Sequence, residues 1–217
     1  MFGRISRTYD SANTFLSLGI HMRWKKRLVE KSALRPEDHV LDCATGTGDI
    51  AFLFERTMPT ATITATDFCA PMLDEARKKA SNSRITFLEE DVTALSFASK
   101  TFDIASIAFG IRNVENPEKA LRELARVTKR RILVLEFGQP SSALWRTIYG
   151  IFSKSLLPRI GGLISRNQAA YTYLHESSAR FMSGETFIAF AKQLGIFKSV
   201  SMESFFGGVV YLYTIDL

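Results

Sequence analysis

The chain is short of the residues that would mark several common kinds of protein. It has two cysteines, Cys43 and Cys69, and no CxxC pair, so buried reduced thiols are expected rather than a disulfide framework. Its three histidines, His21, His39 and His175, stand far apart with no HxxxH or HxxEH spacing, and no metal centre is expected. The longest uncharged stretches, Ser11–Met22 and Ser204–Ile215, run to 12 residues, short of the roughly 18 that span a bilayer. The opening MFGRISRTYDS has no apolar signal core, which predicts a cytoplasmic protein. No internal repeat or low-complexity linker is found.

What remains is a globular composition. Apolar residues make up 46% and charged residues 23% of 217, enough for one domain with a full core. The net charge of +6 is unevenly placed: Arg4, Arg7, Arg23, Lys25, Lys26, Arg27 and Lys31 crowd the first 31 residues against Asp10 and Glu30. Such an arm suits nucleic acid, an anionic membrane surface or an acidic partner, or is simply a solvated helix face. Seventeen phenylalanines exceed what a small core needs: either the core is rich in phenylalanine or some rings line an apolar pocket.

From residue 40 the pattern alternates. Strands are expected at Val40–Cys43, Ala61–Thr66, Ile85–Leu88, Asp103–Phe109 and Ile132–Phe137, with helices at Asp49–Arg56, Met72–Lys79 and after Asn116-Pro117-Glu118. Asn116 reads as an N-cap and Pro117 as the first helical residue. Near the end, Ser183 is expected to cap a helix that Gly195 closes, followed by a hairpin of Lys198–Phe205 and Val209–Ile215. Parallel strands finished by an antiparallel hairpin describe an α/β, Rossmann-like sheet of the class I methyltransferase type. Within a single domain, residues 1–36 form an N-terminal lid, 37–137 the cofactor-binding core, 138–182 an acceptor-side insertion and 183–217 the last helix and hairpin.

The loop Asp42-Cys43-Ala44-Thr45-Gly46-Thr47-Gly48-Asp49 follows the first strand. Its glycines permit close approach of backbone to ligand, but the bare pattern also fits a dinucleotide fingerprint. Asp42 separates the two readings, because a carboxylate favours a cationic ligand such as S-adenosylmethionine over a diphosphate. Asp67, ending the second strand, can accept from both ribose hydroxyls. Asp91 after the third can accept from an adenine amino group, with Val92 flanking the ring. Three acids at the ends of successive strands point to S-adenosylmethionine held by Asp42, Gly46, Thr47, Gly48, Asp67, Asp91, Val92 and Ala108.

Five separated blocks then resemble one family. They are Tyr9-Asp10-Ser11-Ala12-Asn13 with Ser17, His21 and Trp24; Phe109-Gly110-Ile111-Arg112-Asn113-Val114; Leu133-Val134-Leu135-Glu136-Phe137; Leu157-Pro158-Arg159-Ile160-Gly161; and Tyr171-x-Tyr173-Leu174-x-Glu176-Ser177. They resemble the ubiquinone/menaquinone biosynthesis C-methyltransferases over nearly the whole chain. The resemblance implies methyl transfer from S-adenosylmethionine to the ring carbon of a polyprenylated demethylquinol. Demethylmenaquinol is the first choice and a benzoquinol of ubiquinone biosynthesis the alternative. The sequence departs from the family in having Ala12 for methionine, Lys129-Arg130-Arg131 for a Lys-Pro-Gly-Gly turn, Ala108 for a serine and His175 for a small residue or proline.

Methyl transfer needs alignment and exclusion of water rather than a metal. The acceptor must be the reduced ring, because an oxidised quinone is too electron-poor to attack. Arg112 is the candidate catalytic group, its planar donors steadying the phenolate; its other reading is an ion pair that steadies the loop. Tyr9, Asn13, Asn113 and Tyr173 are candidate acceptor-binding residues, with His21, Tyr171 and Glu176 nearby. The apolar pairs between Leu144 and Ile164, flanked by Arg146, Lys154 and Arg159, suit a helix lying at the inner face of a membrane, or a cap packed on the sheet. No nucleic-acid module is seen. A methyltransferase for another phenol, a sterol or RNA, and an adenosine-binding regulator without catalysis, remain as rivals. Oligomeric state, a homodimer included, is left open.

Overall fold

The structure is a computed structural model, and it describes residues 19–140 and 176–217. In chain order the elements are α1 (His21–Lys31), β1 (His39–Cys43), α2 (Asp49–Thr57), β2 (Thr62–Asp67), α3 (Ala70–Lys79), β3 (Thr86–Glu89), β4 (Phe102–Ala108), α4 (Pro117–Val127), β5 (Thr128–Phe137), α5 (Glu185–Gln193), β6 (Ser199–Phe205) and β7 (Val210–Asp216). They build one seven-stranded sheet in the order β3-β2-β1-β4-β5-β7-β6. β1 to β5 pair in parallel, while β7 is antiparallel to both its neighbours, β5 and β6.

Strand periodicity places the core on both faces. On β5, Ile132 and Val134 join one apolar cluster while Leu133 and Leu135 join the other; on β7, Tyr211, Tyr213 and Ile215 part from Val210 and Leu212 in the same way. α4 and α5 cover the first cluster with Leu121, Leu124, Phe187 and Ala191. α1 and α2 cover the second with Trp24, Leu28, Ile50 and Phe54. Central strands buried on both faces must be apolar along their length, as Ile132–Leu135 are. α4 starts as expected, with the Asn116 side chain accepting from Lys119 N at 3.0 Å and Pro117 at the first turn.

Three expectations are corrected. Ser183 does not cap α5: the cap is Gly184 at φ +61°, whose N–H donates to the Tyr213 hydroxyl at 2.7 Å, while Ser183 Oγ accepts from Gln139 N. β5 begins at Thr128, so Lys129-Arg130-Arg131 is strand and not a turn. Those cations meet Asp103, Asp38 and Asp216 at 3.1, 2.6 and 2.7 Å along the rim of the sheet. Cys69 is only half-buried, whereas Cys43 is fully buried and its thiol is pushed up to about 12 by desolvation.

The basic stretch is also resolved in part. Lys25 pairs with Asp49, and Arg27 and Lys31 both reach Glu203 on β6. That half of the arm clamps α1 to the sheet. Arg4 and Arg7 lie outside the described residues, as do the segment from Leu144 to Ile164 and His175.

Candidate active site

Doubly wound sheets bind ligands beyond the carboxyl ends of their strands, where neighbouring crossovers diverge. Here that place lies between β1 and β4. The chain leaves β1 through Ala44, Gly46 and Gly48, all at positive φ (+51°, +58° and +89°), before α2 begins at Asp49. The two glycines have different reasons to be glycine. A Cβ on Gly48 would lie 2.8 Å from the Phe52 ring, so the residue is fixed by packing. Above Gly46 nothing lies within 4 Å, leaving an open approach to the backbone. Gly110, after β4, has no room for a Cβ because Ala44 Cβ would be 2.5 Å away; this closes the β4 loop onto the glycine loop.

Between these loops is a cleft of about 370 Å³, counted to where it opens to solvent, lined by Lys25, Asp42, Ala44, Thr45, Gly46, Thr47, Asp49, Ile50, Ala108 and Phe109. Of the expected cofactor residues, Asp42, Gly46, Thr47 and Ala108 line it. Asp42 is 1% exposed and accepts hydrogen bonds from Thr45 Oγ1 at 2.6 Å and Ser106 Oγ at 2.7 Å. Burial pushes its carboxyl up to about 6, against the pull of those two hydroxyls and of Lys25.

Asp67 stands beside the cleft, bound to its wall. Its Oδ2 accepts from Gly46 N at 2.7 Å and its Oδ1 from Cys69 N at 2.8 Å. Burial raises this carboxyl too, opposed by the two amides. A carboxylate has about four acceptor positions, so two remain for ribose hydroxyls. Asp91 is farther out: it is exposed and its Oδ1 accepts from Thr93 N, although Glu90 N does donate to Asp67 O at 3.3 Å. Val92 is half-buried against the core. The acids are therefore graded, with Asp42 sealed, Asp67 half-committed and Asp91 open.

Arg112 is sealed. Its side chain is 6% exposed and that of Glu136 is 1%, and Nη1 donates to Glu136 Oε1 at 2.6 Å. Nη1 also reaches Phe109 O at 2.6 Å, Nε reaches Ser177 Oγ at 3.3 Å, and the guanidinium lies 5.5 Å from the Phe137 ring centroid. Arg112 N donates to Glu136 Oε2 as well. Burial pushes the Glu136 carboxyl up while Arg112 opposes it. These contacts are those of the loop-steadying ion pair; the donors named are spent on protein acceptors. Asn113 does not line the cleft, and its amide donates to Phe109 O at 3.4 Å. Glu176 is exposed and accepts from Arg180. Tyr9, Asn13, Tyr171 and Tyr173 lie outside the described residues.

Sequence reasoning had not placed Lys25, Asp49, Ser106 or Glu136 in the site. It missed Phe109 as well, although the surplus of phenylalanine had hinted at pocket rings. Phe109 stands at φ +55°, lines the cleft, and packs 4.6 Å from Phe137 and 6.4 Å from Trp24. Trp24 in turn meets Phe205 and Phe206, the latter 53% exposed. An aromatic row thus leads from the cleft toward the surface.

The sheet order and the cleft beyond β1 and β4 define a Rossmann-like methyltransferase of class I. Solved structures agree on the fold. An S-adenosylmethionine-dependent methyltransferase of Thermotoga maritima superposes with TM-score 0.67 at 19% identity, over 100% of this chain and 99% of that one. Phosphoethanolamine N-methyltransferase 2 of Haemonchus contortus, solved with S-adenosyl-L-methionine, gives 0.61 at 15% identity over 84% of this chain and 38% of that one. The profile of the ubiE/COQ5 methyltransferase family matches residues 1–215, and the chain belongs to that family. It is 45% identical to the ubiquinone/menaquinone biosynthesis C-methyltransferase UbiE of Bdellovibrio bacteriovorus, over 98% of this chain and 92% of that protein. It is 40% identical to the demethylmenaquinone methyltransferase of Thermus thermophilus, over 100% and 99%. The protein is an S-adenosylmethionine-dependent methyltransferase.

Proposed function

We propose that this methyltransferase C-methylates a polyprenylated demethylquinol, and that demethylmenaquinol is its acceptor. Full-length membership of the ubiE/COQ5 family carries the reading. The near-complete match to a demethylmenaquinone methyltransferase favours the naphthoquinol. The aromatic row of Phe109, Phe137 and Trp24 beside the cleft supports an aromatic, apolar acceptor and helps keep water out.

The residues present fit S-adenosylmethionine: open backbone at Gly46, spare acceptor positions on Asp67, and carboxylate and ammonium groups together in the cleft. When bound, it would supply an activated methyl group for in-line displacement at the methyl carbon, with the neutral thioether as leaving group. This chain's part is orientation. Asp67 and the glycine loop hold the nucleoside, Asp42 balances positive charge, and Phe109 forms the wall against which the acceptor ring lies. Arg112, through Phe109 O and Glu136, keeps that wall in place. The acceptor reacts as the quinol, whose oxygen pushes electron density onto the ring carbon, and the proton lost from that carbon as the ring regains aromaticity is released to bulk solvent.

Among the described residues no helix is long and apolar enough to cross a membrane. The lipid-tailed acceptor is met from the membrane surface. Incubating the protein with methyl-labelled S-adenosylmethionine and matched naphthoquinols and benzoquinols, each reduced or oxidised, tests the reading. Label is expected in the reduced naphthoquinol; transfer only to benzoquinols, or equal transfer to the oxidised ring, would reject it.

A further inference from the structure

The N-terminal helix puts a charge where packing alone would favour an apolar residue. Lys25 on α1 is 7% exposed, between Trp24 and Leu28 of the second core cluster, and it lines the cleft. Its Nζ donates to Asp49 Oδ2 at 2.6 Å. Holding an ammonium there has a desolvation cost that a methionine of similar volume would not have.

Asp49 Oδ1 is also 3.8 Å from Lys79 Nζ, and Lys79 donates to Thr47 O at 3.1 Å. Both lysines reach this carboxylate, and burial, which alone would raise the Asp49 carboxyl, is outweighed by Lys25 first and Lys79 after it. The N–H groups that open α2 add positive potential at the same end. Across the cleft is Asp42. An ammonium has three donors, and Asp49 takes one of those on Lys25. The cleft thus has a cationic end supplied by α1 and an acidic wall supplied by β1. This matches a zwitterion, and the amino-acid end of S-adenosylmethionine carries a carboxylate beside its ammonium and sulfonium.

We propose that Lys25 binds the α-carboxylate of S-adenosylmethionine, with Asp49 fixing the ammonium in place. The consequence is selectivity: α1 lets the site tell the methyl donor from adenosyl compounds that lack a carboxylate. The inference rests on the reading of this cleft as the donor site and needs no acceptor, so its test stands apart from the question of the quinol.

The test is calorimetric titration with two ligands, S-adenosylmethionine and its decarboxylated analogue, which keeps the adenosine, the sulfonium and the amine. The wild type is expected to bind S-adenosylmethionine roughly tenfold or more tighter than the analogue, the size of one charged hydrogen bond. Lys25→Met should lose that preference by weakening S-adenosylmethionine alone, leaving the analogue within about twofold. Lys25→Arg should keep part of the preference, since the charge is retained. Equal weakening of both ligands by Lys25→Met would mean that the lysine only holds the cleft open, and an unchanged affinity for S-adenosylmethionine would mean that it does not touch the carboxylate; either result overturns the proposal. If Lys25→Met does not fold, Lys25→Gln is read in the same way. A wild type without preference between the two ligands also overturns it.

Discussion

Lys25–Asp49 and Arg112–Glu136 both bear on the same cleft and are built differently. Both are short, at 2.6 Å, and both join elements distant in sequence. In the first pair the side chains are 9% and 26% exposed and both line the cleft. In the second they are 6% and 1% exposed, and neither residue lines it. The arginine is turned inward, onto Phe109 O, Glu136 and Ser177. An ion pair with donors left toward a cavity can meet a ligand; one whose Nε and Nη1 donors meet backbone and side-chain acceptors fixes the loop that carries the cavity wall. Guanidinium and ammonium chemistry follow the same division, since the planar fork suits fixed multiple contacts and the point charge suits an exchangeable one.

The comparison breaks most visibly at Glu136. Glu136→Ala leaves a buried guanidinium without its counter-charge, at a cost of about 3–5 kcal/mol. For a chain of this size that lowers the melting temperature by on the order of 10 °C. Unchanged thermal melting would mean that the pair is not the clamp described here. Replacing both partners, Arg112→Met with Glu136→Leu, removes charge and counter-charge together. It should restore most of the lost stability, with turnover recovering to within about tenfold of wild type. Restored melting with turnover still about a hundredfold down would instead give the arginine an electrostatic part in the chemistry.

On the ligand side, Asp67→Ala should weaken S-adenosylmethionine by about tenfold or more in calorimetry, at about 1.5–3 kcal/mol per charged hydrogen bond. Its melting temperature should fall by less than that of Glu136→Ala, because the carboxylate is half-buried and other bonds hold the loop. Asp67→Asn should be milder.

The smallest effect is the pH dependence set by Asp42, whose carboxyl is held at about 6 by burial, with Lys25 lowering it and Asp67 raising it. A bound sulfonium and ammonium favour the ionised form, so binding releases a proton when the free protein is protonated. Affinity is then flat above about pH 7 and falls as pH drops through about 6, reaching about a tenfold loss near pH 5. The unliganded fold behaves oppositely. A carboxyl raised on folding destabilises above its folded value, and that penalty is relieved as pH falls from about 6 toward the ordinary carboxylate range. Titrations at several pH values with wild type and Asp42→Asn check both signs, and the variant should lose the pH dependence.

Much of this arrangement was legible in the sequence. β1 and β4 announce themselves as largely apolar runs and β2 as a β-branched alternation closed by an acid, and Asn116-Pro117 marks the start of α4 through local chemistry alone. The start of β5 was not legible, because Lys129, Arg130 and Arg131 read as a turn. Their partners, Asp103, Asp38 and Asp216, come from β4, the residue before β1, and the end of β7, and meet them only once the sheet is ordered. Ser183 misled because serine is the commoner cap. Gly184 takes the position in a backbone conformation that glycine alone adopts readily, and a Cβ there would lie 3.2 Å from the Tyr211 hydroxyl.

The site divides in the same way. Glycines and strand-end acids are written locally, and of these Asp42 and Gly46 line the cleft while Asp67 stands beside it. Lys25 and Asp49 are 24 residues apart, as are Arg112 and Glu136, and each pair is made by a crossing of elements that spacing does not reveal. On its own, Lys25 is one of several cations on a helix and Glu136 an acid in an apolar strand. Burial turns the first into a ligand group and the second into half of a clamp.

Methyl transfer to ring carbon is most directly tested by following the methyl itself. Reduced demethylmenaquinol and S-adenosylmethionine carrying a carbon-13 methyl should yield, with the purified protein, a single product whose label gives the resonance of a methyl bonded to the aromatic ring. Label appearing on a quinol oxygen, or no label in the quinol while the protein binds S-adenosylmethionine, would contradict the account.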